Sequence, residues 1–192
     1  MKTYQIILSA MAFVLFPMVA QAQTMDREHL NVNAYVRESH LLNGLWIYDK
    51  LIDTKDCVTA GVSVGVNTKP EDDNYWAWAW NFPHYGLGFS YSNMSSIQCR
   101  PGSSLGDAYT LYGYAHFDFF KSRYFTIGPN LEFGASYITK TWDAVSNPLN
   151  TFVGTPVLVM VGMGLEAGFH ITPQWEVGLN AMLTHRSNGM FK

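Results

Sequence analysis

From Asp56 to the end of the chain, apolar and polar residues alternate with a period of two. In DCVTAGVSVGV, Asp56 to Val66, the residues Val58, Ala60, Val62, Val64 and Val66 fall on one side. Cys57, Thr59, Gly61, Ser63 and Gly65 fall on the other. His84–Asn93 repeats the pattern, with Tyr85, Leu87, Phe89 and Tyr91 set against Gly86, Gly88, Ser90 and Ser92. A long run over Phe152–His170 puts Val153, Thr155, Val157, Val159, Val161, Met163, Leu165, Ala167 and Phe169 on one face. Gln174–Leu183 continues it with Trp175, Val177, Leu179, Ala181 and Leu183. Gly106–Phe120 and Arg123–Lys140 are further strands joined by a turn near Lys121-Ser122, and Asn31–Arg37 is a weaker one. Strict alternation over such lengths predicts β-strands with one apolar face.

The second face separates two all-β architectures. A soluble sandwich packs its apolar faces together and turns Lys, Glu and Thr to water. Here the second face carries mostly Gly, Ser and Thr, with an occasional Glu or His. Bulky apolar residues on one side and small polar ones on the other fit an antiparallel transmembrane β-barrel, with lipid outside and a narrow packed lumen inside. Several strands reach the roughly 10 residues that a tilted membrane-crossing strand needs. Aromatics gather near strand ends (Trp76, Trp78, Trp80, Phe82, Tyr85, Phe119, Phe120, Tyr124, Phe125 and Trp175), where interfacial girdles sit. Asn67–Pro83 and Asn93–Leu105 are long connections, whereas Lys121-Ser122 and Ile171–Pro173 are short. That difference is expected of long external loops and short periplasmic turns. About seven strands can be counted. A bilayer tolerates no open sheet edge and bacterial barrels have even strand numbers, so eight are expected, with the last one missing beyond Lys192.

Composition agrees with this picture. Charged residues are 14 % and aromatic residues 15 %, with 16 glycines. A net charge of −3 gives no electrostatic basis for binding nucleic acid. The N-terminus, MKTYQIILSAMAFVLFPMVAQAQ, has Lys2 as a positive start, an apolar stretch from Ile6 to Ala20, and Ala20-Gln21-Ala22 as a small-x-small site. It reads as a signal peptide over 1–22, followed by the barrel over 23–192; a membrane anchor is the other reading. Cys57 and Cys99 are the two cysteines. An oxidising export compartment permits a disulfide between them, and two free thiols fit equally.

The candidate chemistry lies near the end, in LTHRSNGMFK. Continuing the Trp175–Leu183 stripe by twos puts His185 and Ser187 on the lipid-facing side, with Cα atoms about 6.6 Å apart. A serine nucleophile needs a base, and histidine at this spacing supplies one. Asn188 and the amide of Gly189 are candidate oxyanion donors. Arg186 points inward by the same parity. Glu132, His116, Asp118 and His170 read as lumen-side polar groups rather than metal ligands, because close paired spacing is lacking. Taken alone, His-x-Ser-Asn also fits a polar loop at a barrel rim.

The chain resembles the PagL-type lipid A 3-O-deacylases, the acyloxyacyl hydrolase family, from about Asp56 onward. The resemblance is carried by PHYGLGFSYSN (Pro83–Asn93), DAYTLYGYAHFDF (Asp107–Phe119), Gly128-Pro129-Asn130 ahead of FGASYITKTWDAVSNPLNT (Phe133–Thr151), and above all THRSNG (Thr184–Gly189). It implies an eight-stranded outer-membrane barrel with its active site on the outer surface, acting on lipid A of lipopolysaccharide without metal or cofactor, and compatible with a homodimer. It further implies Ser187 as nucleophile, His185 as base and Asn188 at the oxyanion. The family's acid is a glutamate roughly a dozen residues past the serine, a position beyond Lys192. Glu166 and Glu176 have lumen-facing parity and do not match it. The alternatives are a non-enzymatic barrel, structural or lipopolysaccharide-binding, and a phospholipid esterase.

Overall fold

The computed structural model describes residues 30–42, 52–70, 75–99, 102–172 and 174–187. The expected signal peptide over 1–22, Pro173, Asn188 and Gly189 lie outside them. Seven long strands form one antiparallel sheet: β1 (Leu30–His40), β2 (Asp56–Asn67), β3 (His84–Ser92), β6 (Ala108–His116), β8 (Phe125–Ile138), β9 (Val157–His170) and β10 (Glu176–Ser187). They pair in that order, each with its neighbour in sequence. A short helix, α1 (Tyr75–Ala79), interrupts the β2–β3 connection. β4 (Gln98–Cys99) and β5 (Ser103–Ser104) form a separate hairpin, and β7 (Phe120–Lys121) pairs with the start of β8.

The sheet curls into a half-barrel. Three contacts between strands that are not neighbours show the curl: Arg37 on β1 meets Glu132 on β8, Tyr35 on β1 meets Tyr112 on β6, and Arg186 on β10 meets Ser92 on β3. Among the described residues, β1 and β10 each pair on one side only.

The alternation read from the sequence sorts onto the two faces as expected. Val58, Val62, Val64, Leu87, Phe89, Leu111, Leu131, Phe133, Val159 and Leu165 are exposed on the convex face. Thr59, Ser63, Ser90, Ser92, Thr110, Asn130, Glu132 and Ser136 are buried on the concave one. A sandwich would bury the first set and expose the second, so this distribution excludes it. The apolar core proper lies among the long loops, where Ile52, Cys57, Met94, Ile97, Cys99, Leu105, Ile138 and Val153 pack together. Cys57 and Cys99 are both free thiols there, packed as small apolar groups rather than joined.

Three sequence expectations need correction. The strand expected over Phe152–His170 begins only at Val157. Pro156 has no N–H to give the ladder, and Val153, expected on the outer face with Thr155, is buried in the loop core. The strand expected over Gly106–Phe120 stops at His116. The β6–β8 register runs to His116↔Asn130, and β7 resumes it at Phe120↔Ile127. Three residues, Phe117 to Phe119, therefore oppose two, Gly128 and Pro129. This is a bulge at a proline that cannot donate to the ladder, a usual place for one. Finally, the long connections do not share one end. The 93–107 and 139–156 loops lie at the end where β10 finishes, but the 68–83 connection lies with the short turns 122–124 and 171–175.

Candidate functional site

β10 stays regular through Ser187, and its register fixes where the candidate pair points. His185 is opposite Val161, and Ser187 is opposite Val159. Directly opposed residues share a face, and both valines are exposed on the convex side. His185 is therefore outward and exposed, and Ser187 outward and half-buried, at the long-loop end of the sheet. Arg186 points inward, as expected. Its Nε donates to Ser136 Oγ at 3.2 Å and its Nη2 to Ser92 Oγ at 3.5 Å. These bonds tie the end of β10 across the interior to β8 and β3, and so hold the strand that carries the pair.

Among the described residues, a cleft of about 530 Å³ lies between β1 and the end of β10, beside His185. Leu41, Leu42, Met94, Met160, Met163 and Leu183 make much of its wall apolar. Glu38 and His40 line it from β1. Their partners are Val58, which is exposed on the convex face, and Asp56, so both point outward. His40 Nδ1 lies 2.6 Å from Asp56 Oδ1. Glu38 and His40 lie past the strand expected over Asn31–Arg37, and its period of two continues through them. The outward stripes of β9 and β10 contain no Asp or Glu.

The expected lumen groups lie on the concave face, in two networks. Near the middle, Arg37 Nη2 donates to Glu132 Oε1 at 2.7 Å, and Arg37 stacks 4.1 Å over the Tyr35 ring. Tyr112 donates its hydroxyl to Tyr35 at 2.9 Å. Toward the short-turn end, the β6–β7 bulge places the Asp118 carboxylate between His84 (3.1 Å), His116 (3.0 Å) and Lys121 (3.5 Å). Burial opposes ionisation of Asp118, but hydrogen bonds from His116 and His84 outweigh it and hold the carboxyl well below the usual range. Asn130 donates to Glu166 at 3.2 Å, and His170 lies 3.0 Å from Glu176. A cavity of about 160 Å³ separates these groups. Glu166 and Glu176 line it, on the face opposite to His185. Among the described residues, no three of His, Cys, Asp or Glu are arranged to hold a metal ion. The Nε2 atoms of His84 and His116 are both directed at Asp118.

No family model, curated protein or solved structure matches the chain.

Proposed function

We propose that the chain is an outer-membrane serine esterase that removes the 3-O-linked acyl chain of lipid A. The observation that carries the proposal is the placement of His185 and Ser187 on one outward stripe of β10, at the long-loop end of a largely apolar outer surface. A contiguous exposed apolar band of this extent calls for lipid around it. Polar groups on that band are costly unless they are used. The ester bonds of lipid A lie just below the headgroup, the depth that the rim of a barrel reaches.

In this mechanism His185 takes the proton from Ser187 Oγ as it attacks the ester carbonyl. For the tetrahedral oxyanion the sequence offers Asn188 and the amide of Gly189 as donors. Collapse releases the sugar 3-hydroxyl, protonated by His185, and leaves the acyl group on Ser187. A water deprotonated by His185 then releases the fatty acid and regenerates the serine. A carboxylate beside His185 would fix the imidazole tautomer.

The test is mass spectrometry of lipid A from cells expressing the full-length protein or its Ser187→Ala variant. The wild type should remove one 3-linked hydroxyacyl chain. Ser187→Ala should leave lipid A intact, a rate loss of about 10³-fold or more. Unmodified lipid A from cells with folded wild-type protein would overturn the esterase reading in favour of a non-enzymatic barrel.

A further inference from the structure

The aromatic residues at the short-turn end are more numerous and more exposed than packing explains. In α1 and the residue after it, Tyr75, Trp76, Trp78 and Trp80 are 81 %, 44 %, 67 % and 59 % exposed, while Ala77 is fully buried. The alanine lets the helix seat closely on the barrel end, and the large rings project from it. The seat is fixed at some conformational cost. Asn81 and Phe82, neither of them glycine, follow with φ of 57° and 58°, a region that L-residues adopt reluctantly. The Phe82 amide closes back on the Ala77 carbonyl at 2.7 Å. Asn81 Nδ2 donates to the Asp118 carbonyl at 2.5 Å, which ties the helix to the β6–β7 bulge.

The rings continue the outer apolar surface. Trp76 packs 5.9 Å from Tyr85, the first outward ring of β3. Trp80 meets Phe117 edge-on at 5.6 Å. The other two turns at this end expose Phe119, Tyr124 and Trp175. Between those rings the turn carries Lys121 and Arg123, with Arg123 lying 5.4 Å over Tyr124. Indole and phenol rings next to cations favour the boundary between acyl chains and phosphate headgroups.

We infer that α1 is an interfacial anchor: its tryptophans lie in the phospholipid headgroup boundary of the leaflet at the short-turn end and fix the barrel's depth. The Tyr75–Pro83 part of the long connection at this end is then membrane-facing structure rather than a misplaced external loop. The inference rests on the membrane-barrel reading, and its test separates the two.

The full-length protein is refolded into phosphatidylcholine–phosphatidylglycerol vesicles whose lipids are brominated either near the carboxyl end or near the middle of the acyl chain. Two variants are used, one keeping Trp78 as the sole tryptophan, the other carrying Leu111→Trp as the sole tryptophan on the outer face of β6. Leu111→Trp should be quenched most by the deep bromines. Trp78 should be quenched at least twofold more by the shallow bromines than by the deep ones, and little by aqueous iodide. Quenching of Leu111→Trp with Trp78 open to iodide and untouched by bromine sinks the anchor and leaves the barrel standing. If neither responds to bromine, the membrane reading fails and takes the anchor with it. Should the single-tryptophan chain not fold, the wild type and Trp78→Phe are compared, and their difference spectrum isolates Trp78.

Discussion

Arg37 shows how single residues hold the interior together. Its guanidinium is buried, stacked on Tyr35 and bonded to a buried Glu132 that lies 95 positions away in the chain. A buried pair adds little net stability, because desolvation offsets the attraction, but breaking it leaves a naked charge. Glu132→Ala should therefore destabilise the fold by about 3–5 kcal/mol. Arg37→Met combined with Glu132→Leu should recover most of that loss. Urea unfolding in detergent micelles, followed by circular dichroism, measures both. Equal losses in the single and double variants would refute this account. The sequence marked Glu132 as a lumen group by parity. It gave no sign of Arg37 as the partner, since nothing local connects positions so far apart. The outward placement of His185 and Ser187 was legible because it needs only the local period of β10. The bank of the cleft formed by Glu38 and His40 was not, because it depends on how β1 lies relative to β10.

Among the strands, the fit of the concave face depends on glycines meeting rings. A side chain at Gly61 would collide with Tyr35, one at Gly65 with Tyr114, and one at Gly88 with Tyr112. Tyr35 and Tyr112 each lie over a glycine of an adjacent strand, and Tyr114 reaches past β3 to Gly65 on β2, so the rings fill much of the concave face. Gly88→Val has no room beside Tyr112 and would push apart the Tyr112–Tyr35 bond, for a cost of about 1–3 kcal/mol. Coupling this change with Tyr112→Phe should alter the loss non-additively, and a double-mutant cycle in the same unfolding assay reads it. Additivity would mean that the two positions do not share the space. The small residues of these stripes were readable from the pattern; which ring fills which gap is set by strand register. The ends of strands were less legible. Pro156 and Pro129 each interrupt what periodicity alone would run together, the first by starting β9 late and the second by forcing the bulge that buries Asp118.

For the molecule as a whole, the inside-out distribution of polarity is the property with the largest consequence. If the convex face meets lipid, charge at its middle is expensive by about 2–4 kcal/mol for arginine near the midplane. Leu111→Arg should accordingly reduce folding into vesicles strongly, which loss of the folded band in an electrophoretic mobility assay would register. Thr110→Ser, a conservative change on the adjacent concave position, should be tolerated. Unimpaired folding of Leu111→Arg would count against lipid on this face.

The sequence by itself determined the strand-rich class, the faces of the strands and the direction of the candidate pair. All of these follow from a side-chain period of two, which is local. Only the tertiary structure decided that the sheet curls far enough for Arg37 to reach Glu132 and Arg186 to reach Ser92. It likewise decided that two cysteines are buried as free thiols in the loop core, and that the tryptophan-bearing connection shares an end with the short turns. These features depend on accumulated twist and on register between strands distant in sequence, and periodicity along one strand carries no information about either.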